Sequence, residues 1–165
     1  MDKGYEVFCL SDALFYDSPL HARGDDVDLA VVDRPVPAGW TRSELDDWLV
    51  YMPPDIHLPK QGWKIHSSGT LDNAEEIVSI VWDYCVPRRM PFKFVPGPHL
   101  LHLRNTKYAA RDTSGKFVTV YPADEEQLHN YRNVSFIDGN NGAAMGVRTV
   151  ISTGSTNYGM VLNTR

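Results

Sequence analysis

"WKIHSSGTLDNAEEIVSIVWDYC", residues 63–85, reads as a strand that passes through a glycine into a helix. Alternate residues of an extended chain share a face, so Lys64 and His66 point one way and Trp63 and Ile65 the other. After Gly69 the period changes. Leu71, Ala74, Ile77, Val78, Val81 and Tyr84 or Cys85 trace one apolar stripe, which predicts a helix over about 71–86. Asp72, Glu75 and Glu76 sit near its start, where the helix dipole favours carboxylates, and Pro87 ends it. The stripe needs an apolar partner, and the Trp63 and Ile65 side of the strand supplies one. The opposite side then carries cations.

"PFKFV" at 91–95 repeats the device, with Phe92 and Phe94 inward and Lys93 on the other side. A further strand is expected at "HLLHL", 99–103, after the Pro96-Gly97-Pro98 turn, and another at "FVTVY", 117–121. "PADEEQLHNYR" opens a helix with Pro122 at or near its first position. Upstream, Thr41 stands three residues before Glu44 as a capping box, and Leu45, Trp48 and Leu49 recur at helical spacing. That pattern predicts a helix over about 41–51, stopped by "MPPD". Residues 1–40 read as loop-rich. The outline after the first helix is β-α-β-β-β-α, an α+β single domain with a mixed or antiparallel sheet and helices packed against it. Residues 1–130 form this domain. Residues 131–165 are rich in Gly, Asn and Ser and read as hairpins or a loosely ordered tail.

With 165 residues and 42% hydrophobic content the chain suffices for one compact domain. A net charge of −5 argues against general affinity for nucleic acid or anionic membranes. Cys9 and Cys85 lie far apart and suggest neither a zinc site nor a disulfide framework, so a reducing, cytoplasmic setting is expected. No apolar run is long enough to span a membrane, and the amino terminus lacks the pattern of an export signal.

If the strands carrying Lys64, His66 and Lys93 are neighbours, these side chains meet on one surface. Clustered cations repel, so at least one is expected to have a depressed pKa, and an anionic ligand makes the arrangement favourable. The following loop adds Arg104, Lys107, Arg111 and Lys116, with Asp112 alone opposing them. Guanidinium groups suit phosphate because two N–H donors engage two oxygens. Each feature alone is ordinary surface chemistry, and only their combination specifies an anion site. His99 and His102 lack a spacing that shares one face, and no metal site is expected there. "TSGK" at 113–116 lacks the first glycine and the final hydroxyl of a nucleotide loop. Trp40, Trp48, Trp63 and Trp82 read as core packing.

"WKIHSSGTLDNAEEIVSIVWDYCVPRRMPFKF" followed by "LRNTKYAARDTSGKFVTVYPAD" resembles the amino-terminal lyase domain of class III and class IV lanthipeptide synthetases. That domain is similar in turn to the phosphothreonine lyases of bacterial type III secretion effectors. The resemblance spans about residues 40–128 and rests on K-I-H, F-K-F, R-N-x-K-Y and S-G-K-F-V-T-V-Y-P. It implies a carbon–oxygen lyase, independent of metals and cofactors, that eliminates phosphate from phosphoserine or phosphothreonine in a precursor peptide to give dehydroalanine or dehydrobutyrine. Lys93 would be the general base and His66 the general acid. Lys64 and Arg111, then Arg104 and Lys107, would bind phosphate, and Tyr121 resembles a tyrosine that the effector lyases place in their site. Kinase and cyclase domains are the expected partners, and the tail after about Asn130 departs from the family pattern. Two other readings use the same pocket: a phosphopeptide-binding module without turnover, which has no need of Lys93, and a lyase acting on a folded phosphoprotein.

Overall fold

A computed structural model describes residues 28–105, 109, 114–132 and 149–155. Among these residues six strands form one sheet: β1 (Thr41–Leu45), β2 (Trp48–Met52), β3 (Gln61–Ser67), β4 (Phe92–Phe94), β5 (Val118–Val120) and β6 (Thr149–Ser155). Their order across the sheet is β1-β2-β4-β5-β3-β6, and every pairing is antiparallel. Among the described residues three α-helices accompany it, α1 (Ala74–Cys85), α2 (Pro98–Asn105) and α3 (Glu125–Arg132), together with a 3₁₀ turn at Ala30–Asp33. The α+β architecture is thus as expected, with a fully antiparallel sheet.

Register divides the side chains between two faces. Directly opposed residues point the same way, so Ile65 and Ser67 of β3, Val118 and Val120 of β5, Phe92 and Phe94 of β4, and Leu49 and Tyr51 of β2 share one face. All of them are buried. Tyr51 stacks on Phe92 at 5.2 Å and on Phe94 at 5.9 Å, and Trp82 of α1 meets its edge at 4.8 Å. The stripe Ala74, Ile77, Val78, Val81, Trp82 and Cys85 of α1 closes this layer. Tyr131 of α3 packs edge-on against Tyr84 at 5.3 Å.

Three expectations are corrected. Residues 41–52 form a hairpin, not a helix, because Trp48, Leu49, Val50 and Tyr51 are buried one after another. A helix would expose part of that run, whereas a strand inside a sheet covered on both sides buries all of it. Asp46 and Asp47 make the turn, and Asp46 adopts a left-handed backbone (φ 51°) that aspartate tolerates. Residues 98–105 form α2, not a strand: Pro98 occupies the first helical position, and Leu101 and Arg104, one turn apart, are buried. β3 and β4 are not neighbours, because β5 lies between them.

α1 also begins later than predicted. The Asn73 side chain accepts a hydrogen bond from the Thr70 amide at 2.7 Å, closing a turn ahead of the helix and leaving Leu71 52% exposed. Gly69, between β3 and that turn, is a point of close approach. A Cβ there would stand 2.8 Å from the Phe117 ring, 3.1 Å from Ile77 Cδ1 and 3.2 Å from Asn73 Oδ1. Phe117 is wholly buried, so the ring has no solvent to turn into. Gly69→Ala is expected to cost about 1–3 kcal/mol by overpacking. The measurement is urea denaturation, in which the midpoint should fall while the slope stays unchanged.

Candidate active site

On the second face, the register aligns one row across four strands: Val50 of β2, Lys93 of β4, Thr119 of β5 and His66 of β3. Lys93 and His66 therefore flank Thr119 on the same side of the sheet, and Lys64, two residues from His66, joins them. The three side chains share a face, but a strand stands between Lys93 and the other two. Fully buried Thr119 places Oγ1 3.0 Å from His66 Nδ1. A hydroxyl can donate to a ring nitrogen or accept from one, so this contact fixes the ring plane under either tautomer.

α2 lies on this second face and carries Arg104 into the cluster. The guanidinium is 5% exposed, stands over the Trp48 indole at 4.1 Å, and places Nη2 3.6 Å from Asp47 Oδ2. It also donates to the Lys116 carbonyl at 3.4 Å. The Gly115 amide donates to the Arg104 carbonyl at 3.0 Å, and the left-handed backbone of Gly115 (φ 68°) turns the chain toward β5. Asn105 donates to the Gly69 carbonyl at 2.9 Å, tying the end of α2 to the exit of β3.

The electrostatics follow from this crowding. Burial, then the charges of Lys116, Lys64 and Lys93, push His66 down to about 4, so the imidazole of the ligand-free site is neutral at pH 7. Burial, then Lys64, Arg104 and Lys116, lower Lys93 to about 8, with Asp46 opposing the shift. Lys64 is lowered by burial and by Lys116. An amine near 8 yields its proton far more readily than an ordinary lysine, and a set of mutually repelling cations favours a bound anion.

The structure thus brings Lys64, His66, Lys93 and Arg104 together. Lys107 and Arg111 lie outside the described residues. Tyr121, one residue past β5, is buried, its amide donates to the Pro91 carbonyl at 2.9 Å, and burial pushes its hydroxyl pKa up. Three participants escaped the sequence. Lys116, counted there only as part of a basic loop, is the foremost charge acting on His66. Thr119 reads as a plain strand residue, because only the register places it between His66 and Lys93. Trp48 is buried in the core, as its reading as core packing expects, and its ring also meets two cations, which the sequence does not show. Among the described residues no three His, Cys, Asp or Glu side chains come together as a metal site, and no helix is long and apolar enough to cross a membrane.

Comparison with known proteins adds two findings. The family described as RamC, N-terminal domain, matches residues 28–135. A probable SapB synthase of Streptomyces coelicolor (strain ATCC BAA-471 / A3(2) / M145) is 52% identical over 133 residues, which cover 78% of this chain. The same stretch covers 14% of that protein, so the chain corresponds to a small part of its relative.

Proposed function

Because the chain belongs to the RamC N-terminal domain family, we propose that it is the phosphoserine/phosphothreonine lyase unit of a lanthipeptide synthetase. The carrying observation is the row Lys93–Thr119–His66 beside Lys64 and Arg104, which puts an amine of lowered pKa and an imidazole on one face among further cations. In the proposed reaction the Lys93 amine removes the Cα proton of the phosphorylated residue. The C–H electrons form the Cα=Cβ bond, the Cβ–O bond breaks, and phosphate leaves as His66 protonates its bridging oxygen. Lys64, Lys116 and Arg104 hold the phosphate oxygens, joined by Lys107 and Arg111 as further phosphate ligands, and Lys64 stabilises negative charge on the adjacent carbonyl. Tyr121 is assigned to substrate binding on its resemblance to the tyrosine of the effector lyases. The products are dehydroalanine from phosphoserine and dehydrobutyrine from phosphothreonine.

The proposed substrate is a phosphorylated precursor peptide, with kinase and cyclase units of the same synthetase acting before and after this step in the cytoplasm. Incubation with a phosphothreonine peptide should yield, by mass spectrometry, a product lacking the elements of phosphoric acid. Recovery of free threonine would instead make the protein a phosphatase. An unchanged peptide that binds would make it a docking module.

A further inference from the structure

Two cations of the site rest on one aromatic ring. Lys93 Nζ lies 4.2 Å from the centroid of the Trp48 ring and Arg104 Cζ lies 4.1 Å from it. They come from different elements, Lys93 from β4 and Arg104 from the last turn of α2. Trp48 opens β2, two residues before Val50, the register partner of Lys93, so its indole lies on the site face. It is 7% exposed and Arg104 is 5% exposed, so the Arg104 contact forms away from bulk water, where attraction of a cation to an aromatic face is strongest, while Lys93 is half-buried.

The choice of partner has a chemical consequence. A carboxylate in the place of the indole would hold the same cations, but it would neutralise them and compete with an incoming phosphate. The indole attracts cations through its quadrupole and carries no net charge, so it adds nothing to the partial neutralisation that Asp47, 3.6 Å from Arg104, already brings. Its two side-chain torsions also make it a stiff support.

We propose that Trp48 is a positioning residue whose indole holds the Lys93 amine and the Arg104 guanidinium at a set spacing, one for the Cα proton and the other for the phosphate. This assignment rests on the elimination chemistry proposed above. The other charged or titratable groups facing Lys93 are Lys64 and His66 from β3, Lys116 ahead of β5, and Asp46 from the β1–β2 turn.

Trp48→Leu and Trp48→Phe separate a cation support from a filler of space. Lysine-selective NMR of the ligand-free protein should show the Lys93 titration midpoint falling by about half a unit in Trp48→Leu, since the ring no longer favours the charged amine, and holding in Trp48→Phe. Trp48→Leu should also weaken phosphothreonine-peptide binding several-fold through Arg104 and lower kcat about tenfold through Lys93, with Trp48→Phe recovering most of both. If Trp48→Leu does not fold, fluorinated tryptophans at position 48 provide the same test at nearly constant shape, and each added fluorine should lower the midpoint further. A midpoint unmoved by Leu or by fluorination overturns the proposal. The midpoint is read without substrate, so a wild-type protein that fails to eliminate phosphate sinks the lyase reading and leaves the Trp48 contact separately decided.

Discussion

Lys93→Ala is expected to lower phosphate elimination from a phosphothreonine peptide by about 10²–10⁴-fold, the span typical of losing a general base. Peptide affinity should change only a few-fold, because Lys64, Arg104 and Lys116 remain to hold the phosphate. Lys93→Arg is the sharper variant. It keeps the positive charge and can still rest on Trp48, 4.2 Å from the present amine, but a guanidinium does not give up its proton in a protein. If Lys93 serves as the base, arginine should be as inactive as alanine while binding at least as well. If the amine serves only to attract phosphate, arginine should restore turnover, and the proton-abstraction step assigned to Lys93 fails. Single-turnover mass spectrometry gives the rate, and calorimetry with a non-eliminating phosphate ester gives the affinity.

Why Lys93 was legible in the sequence while its neighbours were not follows from the range of the forces involved. The alternation in "PFKFV" and "WKIHSS" is a local property: buried Phe92, Phe94 and Ile65 force Lys93, Lys64 and His66 to the other face whatever strand lies beside them. Which strand lies beside them is decided by pairing between distant residues. The insertion of β5 between β3 and β4 therefore left no local trace, and Thr119 was invisible until the register was known. β2 failed for a related reason. "LDDWLVYM" has apolar residues at helical spacings as well as in an unbroken run, and only burial of Trp48, Leu49, Val50 and Tyr51 on both sides of a sheet chooses the strand. That choice moved Trp48 out of a supposed amphipathic helix and into the site. In "PHLLHLRN" the weak apolar pattern suits either state, and Pro98 at the first helical position, together with the pull of burying Leu101 and Arg104 one turn apart, decides for α2.

Anion binding is expected to raise the His66 midpoint from about 4 to about 6, a change within the one to three units that a close opposite charge commonly produces. The need for such a shift lies in the resting protonation. At pH 7 the ligand-free site holds its proton on Lys93, which titrates near 8, and leaves His66 neutral. Elimination requires the reverse, a neutral amine and a protonated imidazole. The two forms carry the same number of protons, so their ratio is independent of pH; it stands against the competent form, though by less than the gap between the midpoints, because part of the His66 shift is repulsion from the Lys93 charge itself. A phosphate that relieves the repulsion of Lys116, Lys64 and Lys93 at the imidazole narrows that gap, provided that it favours a proton on His66 more than on Lys93. Sulfate is the clean probe, because it stays a dianion while phosphate itself titrates near 6. Near pH 5, binding of sulfate should draw protons from the buffer in wild type. His66→Asn should bind sulfate with that His66-dependent uptake removed, and histidine NMR should report the raised midpoint directly. In turnover, kcat/KM should be flat from above the phosphate ionisation to about pH 8 and should fall at higher pH, where deprotonating Lys93 removes the one proton the pair shares. An imidazole that stays near 4 with sulfate bound would leave the leaving oxygen without its acid, and His66 would then act through its neutral form.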